Sequence, residues 1–298
     1  MSTPIESVAW IHGAEDCART KDPLIQVHRL DRDTFVLRLS KCYSFEANFL
    51  YLLLGRERAL LLDTGARPDP GAPDHVLPLR PLVDRLLGDW ATERGHPEPD
   101  LVVAHTHGHG DHIAGDDQFS TRPRTHVVAP TLPAVREFFG LWDWPDGDSV
   151  LDLGGRQLIV LPVPGHEPTH LAVHDARTRA LFTGDMLYPG LLTVRDWPAF
   201  RRSAARLADL VRREQTSVVL GSHIEMSRTP GRLYSLGTTY QPDEHPLPLT
   251  PDSVLELHEA CEAMGEAPVL EVHDHFVLRP PERQEPSGGA DSLLSGGG

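Results

Sequence analysis

Residues Thr106-His107-Gly108-His109-Gly110-Asp111-His112 constrain this chain more than any other stretch. Three imidazoles and one carboxylate fall together directly after the apolar run Leu101-Val102-Val103-Ala104. Packing does not account for such a density of polar groups. Neutral imidazole and ionised carboxylate are the nitrogen and oxygen donors that zinc and related metals prefer. On an extended strand end, residues i and i+2 point the same way, so His107 and His109 can grip one ion. Asp111 and His112 lie just past the turn, where they can serve a second ion beside it. Gly108 and Gly110 let the backbone bend around the pair. A solvated His-rich loop is the alternative. It suits one or two isolated histidines better than this run after a buried-type strand.

The rest of the chain must build a scaffold for that loop. With 298 residues and 40% hydrophobic content it can form one large core or two fused halves. No stretch approaches the apolar length of a membrane span. The start, Met1 to Glu6, has no basic region or apolar leader, so no secretory signal is expected. Cysteine occurs only at Cys17, Cys42 and Cys261. An odd, scattered set predicts no disulfide framework and a reducing, cytoplasmic setting. The net charge of −15, with lysine only at Lys21 and Lys41, argues against nucleic acid as a partner.

Apolar patterning places the elements. Residues 1–24 give little signal and are expected to be irregular. Strands are predicted at 26–30, 34–39, 45–53 and 58–62, the last running into Asp63-Thr64-Gly65. That Asp is either a turn former or a residue that orients a metal ligand. The Pro- and Gly-rich stretch 67–81 reads as a loop, and a helix is predicted over 81–87. Strand 100–105 delivers the histidine loop, with a helix or turn starting at Ile113. A short strand at 126–129 and a helix at 132–139 precede an aromatic loop, Leu141 to Pro145. Its tryptophans form either a substrate wall or a plug at the core edge.

Strands at 149–153, 157–162, 171–175 and 180–183 follow, then a long amphipathic helix over 197–214. Phe200, Ala204, Leu207, Leu210 and Val211 share its apolar face. After these strands, and after the apolar run 218–222, stand His166, Asp185 and His223. Repeated strand-then-ligand punctuation means that several strand ends converge on one point. An irregular stretch over 228–249, a helix over 253–264 and a strand over 269–278 complete the ordered chain. Residues 284–298 read as disordered.

These residues resemble the metallo-β-lactamase superfamily. The signature H-x-H-x-D-H is met by His107, His109, Asp111 and His112, and the earlier Asp motif by Leu62-Asp63-Thr64-Gly65. The third motif appears as Pro164-Gly165-His166-Glu167-Pro168-Thr169-His170, the fourth as Gly184-Asp185 and the fifth as Gly221-Ser222-His223. The five occur in the family's order across roughly residues 25–225. The resemblance implies an α+β fold, a four-layer αββα sandwich spanning 25–283, with a two-metal site at the sheet edge. It implies that His107, His109 and His166 hold one ion, that Asp111, His112 and His223 hold the other, and that Asp185 bridges. Asp63 and His170 would support the ligands. Glu167 and Thr169 depart from the family's usual residues and should alter the loop without abolishing binding.

Two neighbouring divalent ions, zinc first with iron or manganese as alternatives, can lower the pKa of a shared water from about 15.7 to near 7. The expected function is therefore a metal-dependent hydrolase. A metal-bridging hydroxide would cleave a small ester, thioester or lactone. Asp111 would orient the hydroxide and carry its proton. The bridging Asp185 resembles the glyoxalase II and lactonase branches, although the lysine-free C-terminal segment shows no glutathione-binding helical domain. Tyr188 could donate to a substrate oxyanion or simply pack, and His245 could carry a proton or lie in a solvated loop. An iron-dependent sulfur or oxygen oxidoreductase and a catalytically silent metal-binding protein are the competing readings. The expected partner is a small-molecule substrate rather than a membrane, and oligomeric state is left open.

Overall fold

Strand alternation sorts the apolar side chains into three separate cores, and those cores define the layers. A computed structural model describes residues 4–72 and 76–281. The stretch 284–298 and His75 lie outside the described residues. In chain order the elements are β1 (Ile25–Asp31), β2 (Thr34–Leu39), β3 (Phe49–Leu54), β4 (Arg58–Leu62), α1 (Leu79–Arg94), β5 (Asp100–Ala104), α2 (Gly110–Ile113), β6 (Thr125–Val127) and α3 (Leu132–Phe139). The second half holds β7 (Ser149–Asp152), β8 (Gln157–Pro162), β9 (Leu171–Asp175), β10 (Ala180–Gly184), β11 (Leu191–Thr193), α4 (Trp197–Arg213), β12 (Val218–Gly221), α5 (Pro251–Met264), β13 (Glu271–Val272) and β14 (Val277–Arg279).

One sheet runs β1-β2-β3-β4-β5-β6, a second β12-β10-β9-β8-β7, and a small third one β11-β14-β13. On β3, Phe49, Tyr51 and Leu53 enter the core between the two large sheets, with Leu60 and Leu62 of β4. Facing them are Leu158 and Val160 of β8, Val173 of β9 and Phe182 of β10. The opposite faces of β3 and β4, Leu50, Leu52 and Leu61, pack under Val83, Leu87 and Trp90 of α1. Leu181 of β10 and Val219 of β12 turn the other way, onto Phe200 and Leu207 of α4 and Leu257 of α5. Helix, sheet, sheet, helix is the αββα order. Removing a fully buried ring such as Phe200 should cost about 3–5 kcal/mol.

Where the two sheets meet, backbone bonds stitch them. Leu171 N donates to Thr106 O at 2.7 Å, and Phe49 N donates to Ser222 O at 2.8 Å. Tyr51 Oη donates to Gly221 O at 2.5 Å across the same seam. The parallel pairs β4–β5 and β10–β12 therefore end side by side.

Several expectations need correcting. Cys17 and Cys42 form a disulfide, with Cα atoms 5.2 Å apart and 25 residues between them in sequence. Spacing alone did not reveal that the N-terminal segment folds back onto the loop after β2. The argument for a reducing compartment falls with it. Strand β3 begins at Phe49 rather than Phe45, because Ala47 sits at φ 43° and Lys41 Nζ bonds Phe45 O, closing a turn. Helix α1 runs beyond 81–87 to Arg94, since Trp90 and Ala91 prolong its buried face, and Gly95 at φ 63° stops it. Ile113 closes α2, and the expected turn follows at 114–115, leading into a 3-10 helix over Asp116–Gln118. The span 269–278 splits into a hairpin, closed by His273 N donating to Phe276 O at 2.9 Å. No described helix is long and apolar enough to cross a membrane.

Candidate metal centre

Strand ends deliver the site. His107 and His109 follow β5, and Asp111 and His112 sit in the single turn of α2. His166 follows β8, Asp185 follows β10 and His223 follows β12. Gly184 makes the close approach possible. It adopts φ 54°, and a Cβ there would lie 2.5 Å from His170 Nε2.

Hydrogen bonds at the far side of each ring set the tautomers. His166 Nδ1 donates to Thr193 O at 2.7 Å, and His223 Nδ1 donates to Glu46 O at 3.0 Å. His112 Nδ1 donates to Asp63 Oδ2 at 2.9 Å. Thr106 Oγ1 gives its one proton to Asp63 Oδ2 at 2.9 Å, so at 3.1 Å it accepts from His107 Nδ1. In all four rings Nε2 is therefore the nitrogen left to face inward.

Those nitrogens converge on one another and on two carboxylates. His109 Nδ1 lies 2.8 Å from His107 Nε2 and 3.1 Å from His166 Nε2. One proton on His109 could satisfy only one of these contacts. His112 Nε2 lies 3.1 Å from Asp111 Oδ2, and His223 Nε2 lies 3.4 Å from the same oxygen. Asp185 presents Oδ2 to His166 at 3.5 Å and Oδ1 to His223 at 3.3 Å and to His112 at 3.5 Å. His109 Nε2, His112 Nε2 and Asp185 Oδ1 are buried without a hydrogen-bond partner.

Polar atoms crowded and left unpaired in this way are costly unless a cation joins the cluster. The donor atoms form two groups, His107, His109, His166 and Asp185 on one side and Asp111, His112, Asp185 and His223 on the other. Within each group the atoms lie within 4.8 Å of one another. Ligands 2.0–2.1 Å from a tetrahedral ion stand about 3.4 Å apart, close to the spacings here. The residues fit a pair of divalent ions with nitrogen and oxygen ligands.

Electrostatics separates the two groups in the metal-free protein. Burial drives His107 well below its ordinary range, helped by repulsion from His112, and it lowers His109 as well. Burial also opposes a charge on His112 and His223, but Asp111 and Asp185 overcome it and raise both well above the usual imidazole range. The same attraction holds Asp185 far below a normal carboxylate against its own burial.

The other sequence candidates fall into place around this centre. Asp63, fully buried at φ 68°, also accepts from Thr106 N at 2.7 Å. His170 is buried with its ring 4.7 Å from that of His107, and neither of its nitrogens has a hydrogen-bond partner among the described residues. Tyr188 is buried edge-on to His223, with Oη 2.9 Å from Leu191 O and 3.1 Å from Glu225 Oε2. His245 lies elsewhere: it pairs with His275 at 3.0 Å and lines a cleft with Trp10, His12 and Gln241. Glu167 turns inward on its own loop, where Oε2 accepts from Thr169 N and Oγ1, each at 2.6 Å. In the aromatic loop Trp144 packs on the inter-sheet core, while Trp142 is exposed. Sequence reasoning missed Asn48, whose Nδ2 lies 3.1 Å from Asp111 Oδ2. It also missed the carbonyls of Glu46 and Thr193, because a backbone oxygen carries no sequence signal.

A cleft of about 560 Å³ opens at Asp111 and runs between Phe45, Glu46, Arg67 and Asp117.

A two-sheet sandwich with a His and Asp cradle on its edge defines a class of proteins suited to hold metal beside a surface cleft. The chain belongs to the metallo-beta-lactamase superfamily, whose family profile matches residues 45–223. Among its relatives, acyl-coenzyme A thioesterase MBLAC2 from Homo sapiens is 30% identical over 227 residues, 64% of this chain and 77% of that protein. A hydroxyacylglutathione hydrolase from Stenotrophomonas maltophilia is 31% identical over 156 residues, 51% of this chain and 51% of that protein. The metallo-beta-lactamase FIM-1 from Pseudomonas aeruginosa, in its mono-zinc form, superposes with a TM-score of 0.52 at 13% identity. The match covers 82% of this chain and 97% of that one and speaks for the fold alone.

Proposed function

We propose that this protein is a hydrolase of small esters, thioesters or lactones that works with two divalent ions, zinc by preference. His107, His109 and His166 would hold one and Asp111, His112 and His223 the other, with Asp185 available to both. The inward convergence of imidazole nitrogens on the two oxygens of Asp185 carries this reading. The relatives that act on acyl thioesters point to the same bond type.

When bound, the ions would supply a hydroxide nucleophile near neutral pH and polarise the acyl carbonyl. The protein's own groups do the rest. Asp63 and the carbonyls of Glu46 and Thr193 lock the rings in the tautomer that offers Nε2. Asn48 fixes Asp111 through Oδ2, so its carboxylate can take a proton at the cleft and return it to the departing thiolate or alkoxide. Tyr188, occupied by Glu225 and Leu191, braces His223 from the side. No side-chain nucleophile is needed.

The test is a metal-stripped full-length preparation assayed on a thioester, lactone and phosphodiester panel, before and after zinc is returned. Turnover of an acyl substrate should vanish on stripping and recover with zinc. Undiminished turnover without metal would sink the proposal.

A further inference from the structure

The cleft beside the centre is acidic. Besides Asp111, its charged lining is Glu46, Asp69, Asp116 and Asp117 against the single guanidinium of Arg67. Two of these carboxylates are fixed by the protein: Asp69 accepts from Phe45 N at 2.7 Å, and Asp116 accepts from Thr64 Oγ1 at 2.8 Å. Glu46 and Asp117 have no side-chain hydrogen bond among the described residues and present their charge to the cleft. The Glu46 carbonyl accepts from His223 Nδ1 at 3.0 Å, which places this residue beside the centre.

Arg67 in the lining and Arg195, which acts on His109, have no side-chain ion pair among the described residues, but the carboxylates outnumber them. On the α1 side, Arg80, Arg122 and Arg124 line a shallow depression, but they are paired to Asp84, Glu98 and Asp100. Lys41 is buried and donates to Phe45 O at 2.9 Å. Phosphate recognition relies on clustered unpaired arginine or lysine, which the one guanidinium of the lining does not supply, and a like-charged wall suppresses a polyanion on approach.

We propose that the cleft accepts acyl substrates with an uncharged or cationic leaving group, and that its acidic wall, Glu46 and Asp117 foremost, turns away polyanionic carriers such as coenzyme A. The proposal rests on the hydrolase reading and narrows its substrate class. It also separates this chain from the carrier named for its thioesterase relative, despite the shared bond type.

The experiment compares one butyryl group on N-acetylcysteamine, on pantetheine and on coenzyme A, using the zinc-loaded full-length protein. At low ionic strength kcat/KM for the coenzyme A thioester should fall about tenfold below that for pantetheine, through KM, and the gap should close in high salt. Asp117→Lys and Glu46→Gln should each narrow the ratio. Equal or faster turnover of the coenzyme A thioester at low salt overturns the proposal. If no thioester, ester or lactone is turned over, the hydrolase reading falls instead. Calorimetric titration with free coenzyme A and free pantetheine then decides: weaker binding of coenzyme A sustains the acidic-wall claim, whereas tighter binding of it, or binding of neither, overturns it.

Discussion

His107, His109 and His166 meet as three imidazoles around one oxygen of Asp185, whereas His112 and His223 face two carboxylates, Asp111 and Asp185. The first half of the cradle is held from behind by Thr106 Oγ1 and the Thr193 carbonyl. The second depends on the buried carboxylate of Asp63 and on the loop after β2, through Glu46 O and Asn48. That loop is tied down by the Cys17–Cys42 disulfide and by Asp69. One half is thus neutral and strand-supported. The other is charged and loop-supported, so the two should respond differently to mutation, reduction and pH.

Removing the shared group tests the comparison most severely. Asp185→Ala should empty both halves and lower turnover on the order of 10³-fold. His166→Ala and Asp111→Ala should each lose one ion, as read by metal analysis. Loss of both ions from His166→Ala would show that the halves are not separable.

The disulfide closes a 25-residue separation. The chain-entropy relation puts its removal at about 3.5 kcal/mol of stability. In a Cys17→Ser/Cys42→Ser variant, denaturant unfolding should register that loss, and metal affinity should weaken in the second half while the first holds. Equal weakening of both would erase the contrast between loop and strand support. Asp63→Asn, which spoils the acceptor for His112 Nδ1, should reduce affinity in the second half about 10–100-fold. A competition titration against a chelator reads it directly.

Opposite pH behaviour sharpens the picture. His112 and His223 are raised in the metal-free fold, so their stabilisation is full below the unfolded pKa of about 6.5 and is lost as pH rises through their folded values. His107 and His109 are lowered, so their contribution runs the other way. The unfolded chain takes up protons that they refuse, and stability falls as pH drops below about 6.5. Zinc binding to the second half must displace protons. Calorimetry in buffers of different ionisation enthalpy should detect proton release near neutral pH, and His112→Ala should diminish it. Release unchanged in that variant would contradict the assignment.

The strand-end residues were legible because each is local: a short apolar run, then Gly or a turn, then His or Asp. Residues 106–112 carry five informative side chains in one stretch. His166, Asp185 and His223 repeat the same punctuation after β8, β10 and β12. The sandwich was legible only through the resemblance carried by the five ordered motifs, and the split of Phe49, Tyr51 and Leu53 from Leu50 and Leu52 between two cores emerges in the fold. What stayed hidden was non-local. Asn48 meets Asp111 across 63 residues and His223 across 175. Cys17 reaches Cys42 only after the N-terminal segment folds back, and the turn at Ala47 rests on a buried lysine. Periodicity is blind to contacts of that kind.

The most direct measurement is a zinc titration of metal-stripped full-length protein, following bound metal and thioester turnover together. Two equivalents should bind per chain, with turnover rising to completion only as the second is taken up. Saturation at a single ion with full activity, or a native preparation carrying one iron per chain, would contradict the paired cradle spanned by Asp185.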